Sequence, residues 1–88
     1  MPLYRFLLHG RVESSPEIRG FYTTRWCWAR DEAAAAQRAQ KIVCDEWRTT
    51  LRDSGSIADL EVEESRRISF WEIWDGPNRG YTFYMGED

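Results

Sequence analysis

Arg25 lies in the stretch of this 88-residue chain that is best suited to binding chemistry. Thr23 and Thr24 precede it, and the rings of Tyr22 and Trp26 lie within three positions. A guanidinium beside hydroxyl groups binds carboxylates or phosphates bidentately, while an aromatic ring stacks on a planar group. The stretch therefore predicts either a ligand site or a sheet face where arginine packs over aromatic neighbours, and we favour the second interpretation.

Catalytic and metal-binding patterns are weak in this sequence. His9 is the only histidine, and nucleophilic catalysis would require it to pair with Cys27 or a serine. Zinc usually takes four ligands, and His9, Cys27 and Cys44 are scattered without paired spacing. The six glycines form no phosphate-binding pattern. We therefore expect a surface histidine, no catalytic residue, no metal and no cofactor.

The densest acidic cluster consists of Asp59, Glu61, Glu63 and Glu64. Alternate residues of a strand point to the same side about 6–7 Å apart, which suits a divalent cation or an acid/base pair. Charged side chains also protect a strand from edge-to-edge pairing. We favour the interpretation of a solvated strand face.

Composition and charge indicate one small globular domain. Hydrophobic residues make up 42% of the chain and aromatic residues 15%, which supplies bulky groups for a small core. The net charge of −3 argues against a domain dedicated to duplex nucleic acid. Neither a signal peptide nor a membrane span is recognisable, so a cytoplasmic protein is expected. The two cysteines are expected to be small buried hydrophobic residues rather than a disulfide.

The residue pattern predicts a β-β-α-β-β order with a possible short last strand. Residues 3–12 and 21–29 alternate as strands, and antiparallel pairing is expected because no crossover helix fits between them. Asp31 is the predicted N-cap of a helix over residues 32–52. Residues 57–64 and 66–74 read as strands, 75–80 as a turn and 81–85 as the last strand. This predicts an α+β fold: an antiparallel four- to five-stranded sheet with one long helix on one face.

A single helix leaves the second face of such a sheet uncovered. Small Cys27 and Ala29 are expected to face the helix, which puts Tyr22, Trp26 and Trp28 on the uncovered face. Aromatic surface of about several hundred Å² is too large to leave exposed without a reason. A second copy or a partner protein would cover it, and the alternative cover is the connection 13–20 or the tail 77–88.

This chain resembles a group of small uncharacterised bacterial proteins in three places. These are the segment 20–25, Gly-Phe-Tyr-Thr-Thr-Arg, the alanines Ala29, Ala35 and Ala39, and the ending Gly-Tyr-Thr-Phe-Tyr. That pattern places a Phe-Tyr-Thr-Thr-Arg segment before a single helix, with an acidic residue where this chain has Trp28. The resemblance implies a small α+β domain and brings no activity. The strand hairpin followed by an alanine-rich helix also looks like antitoxin domains of the HicB type, without their second helix.

The sequence as a whole predicts a non-catalytic interaction module that associates as a homodimer or with a partner protein. Its predicted binding residues are Tyr22, Arg25, Trp26 and Trp28. The alternative is a binder of a small anionic or planar ligand, or of single-stranded nucleic acid, through Arg25 and the neighbouring aromatic rings. Binding of a membrane is not expected, and nucleic acid is the less favoured partner.

Overall fold

The computed structural model describes residues 2–15, 17–51, 55–69, 71 and 81–85. Its elements are strand β1 (Leu3–Glu13), strand β2 (Ile18–Trp28), helix α1 (Glu32–Glu46), a π-helical turn (Trp47–Leu51), strand β3 (Ser56–Ile68) and strand β4 (Tyr81–Met85). The strands form one sheet in the order β3-β1-β2-β4, and all neighbours are antiparallel. The predicted α+β fold is confirmed, with four strands in the described residues.

Strands β1 and β2 form the central hairpin of the sheet. Their register runs from Leu3 opposite Trp28 to Arg11 opposite Gly20. In the connection between them, the Ser15 hydroxyl accepts a hydrogen bond from the Ile18 backbone N–H at 3.1 Å. Half of the predicted connection 13–20 therefore belongs to the strands, and the four residues left between them are too few to fold across the uncovered face. The other predicted cover, the tail 77–88, lies outside the described residues except for β4.

Strand β3 is one long strand where the sequence predicted a strand over 57–64 and a separate strand-like run over 66–74. A register shift lies opposite Leu7 and Leu8, which pair with Glu64 and Val62. Glu63 is the extra residue of a β-bulge, and this bulge resets the alternation of the strand. The strand therefore continues until Ile68 is buried opposite Leu3. The predicted turn 75–80 lies outside the described residues, as do residues 70 and 72–74.

Helix α1 packs along the central hairpin through small residues. The Asp31 carboxylate accepts a hydrogen bond from the Ala34 N–H at 2.8 Å, which confirms the predicted N-cap. Ala35 and Ala39 are fully buried, because side chains this small let the helix approach the sheet closely. The regular α-helix ends at Glu46 rather than near residue 52 and widens into the π-helical turn. In the part of the chain that the structure describes, no helix is long and apolar enough to cross a membrane.

A glycine on β1 makes room for a fully buried aromatic ring of the core. Phe21 lies directly opposite Gly10, and its ring occupies the space where a side chain of residue 10 would be. On its other side the Phe21 ring stacks on Trp47, with centroids 4.8 Å apart and an interplanar angle of 18°. The Trp47 indole N–H donates to the Gly55 carbonyl at 2.8 Å. The wide end of the core is therefore one aromatic stack that joins the hairpin to the end of the helix.

We expect Gly10→Ala to lower the free energy of unfolding by about 1–3 kcal/mol, because the added methyl group collides with the Phe21 ring. Urea denaturation of the single and double variants measures this. The double variant Gly10→Ala/Phe21→Leu removes the ring that causes the collision, so its loss should be smaller than the sum of the two single losses. If the loss in the double variant equals the sum of the two single losses, the collision between residue 10 and the Phe21 ring does not explain the effect of Gly10→Ala.

Candidate functional site

The sheet face opposite α1, here called the open face, carries three of the four predicted binding residues. Cys27 and Ala29 are buried against the helix, as predicted. Alternation along β2 then directs Tyr22, Trp26 and Trp28 to the open face. Tyr22 is 38% exposed and Trp28 is 47% exposed. This face is the candidate site.

Arg25, the fourth predicted binding residue, lies on the other side of the sheet. It is only 2% exposed, beneath the end of the helix. Its Nη1 and Nη2 atoms donate to the two carboxylate oxygens of Glu46 at 2.8 and 3.0 Å, and its Nε donates to the Thr23 hydroxyl at 3.1 Å. The Arg25 guanidinium was a candidate for bidentate binding of a ligand. In the structure it binds a carboxylate of the same chain in this way.

Tyr81 completes this partly buried polar cluster and connects β4 to the helix. Its hydroxyl donates to Glu46 Oε1 at 2.9 Å, and the Arg25 guanidinium lies 5.2 Å from the centre of its ring. Burial, followed by the hydrogen bond to Glu46, raises the pKa of Tyr81 to about 12. One carboxylate on the helix thus binds side chains from β2 and β4, so the cluster is structural.

Cys27 and His9 do not form a catalytic pair. Cys27 lies on the helix side opposite Tyr4, whereas His9 lies on the open face opposite Tyr22. Burial raises the pKa of the Cys27 thiol, although Arg38 and Arg25 act in the opposite direction. A thiol with a raised pKa is a poor nucleophile at neutral pH. The described geometry offers no support for thiol catalysis.

His9 is instead the centre of a polar cluster on the open face. Its Nε2 atom is 2.7 Å from the Tyr84 hydroxyl, and its ring stacks on Tyr22 with centroids 4.6 Å apart. Its Nδ1 atom lies 3.2 Å from Glu63 Oε1 and 3.4 Å from Glu61 Oε1. The His9 side chain is 15% exposed, while both glutamates face solvent. The sequence predicted that His9 lies at the surface. In the structure its side chain is mostly covered and contacts four neighbouring side chains.

Two local features bring these side chains together. Glu61 pairs with His9 across the sheet, and the bulge leaves Glu63 as an unpaired residue beside it. On the other side, Gly20 has no side chain where the Tyr84 hydroxyl lies, so the tyrosine reaches across β2 toward His9. The spacing of Glu61 and Glu63 was visible in the sequence. Their meeting with His9 and Tyr84 depends on the register of two distant strands, which sequence reasoning missed.

Charge is unevenly distributed along the open face. Arg5 and Arg66 lie opposite each other on neighbouring strands, next to Trp26 in the same row. The row of Leu7 carries Glu64, and the next row carries the cluster around His9. One end of the open face is therefore basic and aromatic, and the other end is mainly acidic, with exposed Arg11 opposite Asp59 in its last row.

Comparison with models of known protein families, with curated proteins and with solved structures finds no match. The resemblance of the segment 20–25 to small bacterial proteins stays a prediction. The function has to be argued from the chemistry of the open face.

We expect Glu46→Ala to lower the free energy of unfolding by about 2 kcal/mol, because it removes the bidentate carboxylate from the buried Arg25 guanidinium. The matched control is Asp45→Ala, which removes only the exposed ion pairs with Lys41 and Arg48 and should cost under about 1 kcal/mol. Chemical denaturation of both variants compares the two losses. Equal losses would show that the ion pair of buried Arg25 stabilises the fold no more than the exposed ion pairs of Asp45 do.

The raised pKa of Tyr81 also predicts an alkaline loss of stability. The phenol is protonated in both states below its ordinary pKa of 10, whereas between pH 10 and about 12 only the folded state keeps the proton. The free energy of unfolding should therefore fall as pH rises through this range. Denaturation midpoints measured against pH should fall less steeply in Tyr81→Phe. Parallel pH profiles for the two proteins would contradict the assignment.

Proposed function

We propose that this protein is a non-catalytic interaction module that forms a homodimer, with the open face of one copy packed on the open face of another. The observation that carries the proposal is the uneven charge of this face. Arg5 and Arg66 lie at one end, and Glu61 and Glu63 lie at the other. A face with both charges at separate ends is complementary to itself when one copy is turned end to end.

The symmetry of the dimer follows from this arrangement. A two-fold axis that crosses the strands near Leu7 reverses the strand direction of the second copy. Arg66 of each copy then faces Glu63 and Glu61 of the other copy, so each contact occurs twice. An axis parallel to the strands would instead set Arg5 over Trp26 and leave the carboxylates of β3 without opposite charges. The axis across the strands is therefore favoured.

The same symmetry covers the aromatic side chains. It sets Leu7 against Leu7 of the second copy at the centre and brings Trp26 over Tyr22 of that copy. Glu64 lies in the row of Leu7, so the two copies of this exposed carboxylate meet near the axis at the rim of the contact. Aromatic side chains that lose water at the centre of an interface are its usual anchors. Exposed Trp28 would be shielded near one end of the contact. Burial of these rings supplies the attraction, and the charges set the orientation.

The open face is large enough for a specific dimer. The eleven residues of β1 extend over about 36 Å, and four strands span about 19 Å. Because β4 has only five residues, these dimensions set an upper bound of about 700 Å² on each copy, somewhat below the roughly 800 Å² per partner of a standard interface. We therefore expect association at micromolar concentrations of the protein.

Ligand binding through Arg25 and the aromatic rings is the less favoured function. Arg25 points toward the helix and its guanidinium is held by Glu46, while Trp26 and Trp28 point to the opposite side. A ligand on the open face would therefore meet Arg5 rather than Arg25. The homodimer needs no rearrangement of the buried cluster.

A charge exchange between two variants tests the proposed dimer. Arg66→Glu and Glu63→Lys each place like charges against each other in the homodimer, so each should raise the dissociation constant about tenfold. An equimolar mixture of the two variants restores both attractive contacts and should recover dimers. Sedimentation equilibrium at micromolar concentration measures the dissociation constants.

Lys41→Glu is the matched control, because Lys41 is exposed on the helix, away from the open face. This variant should dimerise like the unchanged chain. A monomeric unchanged chain, or a mixture of the two charge variants that stays monomeric, would refute the homodimer.

A further inference from the structure

We propose that His9, Glu61 and Glu63 form a binding site for a divalent transition-metal ion of the zinc class. The three side chains come from two neighbouring strands of one chain. Their ligand atoms all lie within 4.8 Å of one another. This inference concerns a single chain and does not rest on the proposed dimer.

The distances suit a tetrahedral metal centre. His9 Nδ1 is 3.2 Å from Glu63 Oε1 and 3.4 Å from Glu61 Oε1. In a tetrahedral zinc site with bonds of about 2.0–2.1 Å, neighbouring ligand atoms are about 3.3–3.4 Å apart. Small rotations of the exposed glutamates would bring their oxygens into the same relation. The backbone therefore already holds the three groups at the required spacing.

The imidazole is held in the orientation that a metal ligand needs. The Tyr84 hydroxyl contacts Nε2 at 2.7 Å, and the Tyr22 ring stacks on the imidazole at an interplanar angle of 12°. A metal-binding histidine commonly uses its second nitrogen for such a hydrogen bond, which fixes the tautomer and the direction of the ring. When Nε2 donates to Tyr84, the lone pair of Nδ1 is directed toward Glu63, with the Glu61 carboxylate beside it. Three lone-pair donors that converge on one point favour a cation between them.

The donor set indicates the class of ion. One imidazole nitrogen and two carboxylate oxygens are suited to zinc and its neighbours in the first transition series, whereas Ca²⁺ and Mg²⁺ prefer oxygen ligands alone. Three protein ligands leave one tetrahedral position for water or for another small ligand. Both glutamates face solvent, so the ion can enter without local unfolding.

Calorimetric titration of the untagged chain with zinc chloride tests the site. We expect one Zn²⁺ ion per chain, and Co²⁺ should give the visible absorption of a tetrahedral complex. Glu61→Gln/Glu63→Gln should lower the affinity at least tenfold while the circular dichroism spectrum is unchanged. Tyr84→Phe should lower it about tenfold, because the hydrogen bond that orients His9 is lost.

Asp59→Asn/Glu64→Gln is the matched control, because it removes two negative charges from the same strand outside the cluster. It should bind Zn²⁺ like the unchanged chain. Equal loss in both double variants, or no binding by the unchanged chain, would overturn the proposal and leave an ion pair between protonated His9 and the glutamates. Arg66→Glu separates this inference from the dimer, since it should keep the Zn²⁺ site whatever its oligomeric state.

Discussion

The helix of this fold can cover only one side of its sheet, and the two faces differ because of that limit. Twenty residues of helix and π-helical turn, Glu32–Glu46 and Trp47–Leu51, lie over the central hairpin. On that side alanines and stacked aromatic rings form a dense core. On the other side Leu3 and Ile68 are buried at one end, and the rest of the face keeps aromatic residues and charges at the surface. The chemistry of the molecule is therefore concentrated where the core is absent.

The cluster of buried Arg25 with partly buried Glu46 and Tyr81 shows how this single layer of helix is held. One carboxylate at the end of α1 accepts hydrogen bonds from a central strand and from an edge strand. Removing the Arg25 guanidinium from water costs free energy, and the bidentate hydrogen bonds to the partly exposed Glu46 carboxylate offset that cost. Such a cluster therefore specifies where the helix ends against the sheet, in a way that alanine packing alone does not.

Much of the fold could be predicted because strand alternation and helix capping are local. The size of Cys27 and Ala29 correctly identified the helix side of β2, and Asp31 marked the start of α1. Arg25 was grouped with Trp26 because they are adjacent in sequence, although alternation sends adjacent strand residues to opposite faces. The His9 cluster could not be predicted, since it depends on pairing with residues more than fifty positions away and on a bulge.

Because of the bulge in β3, the pairing of the strands does not depend on Glu63, one of the carboxylates beside His9. Val62 and Glu64, on either side of Glu63, pair with consecutive residues of β1. Glu63 is therefore an insertion relative to a regular ladder. A homologous chain shortened by this one residue would keep every other cross-strand partner and its core unchanged, while it would lack one of the carboxylates beside His9. Insertion or deletion of a single codon could thus add or remove this carboxylate while the fold of the domain stays the same.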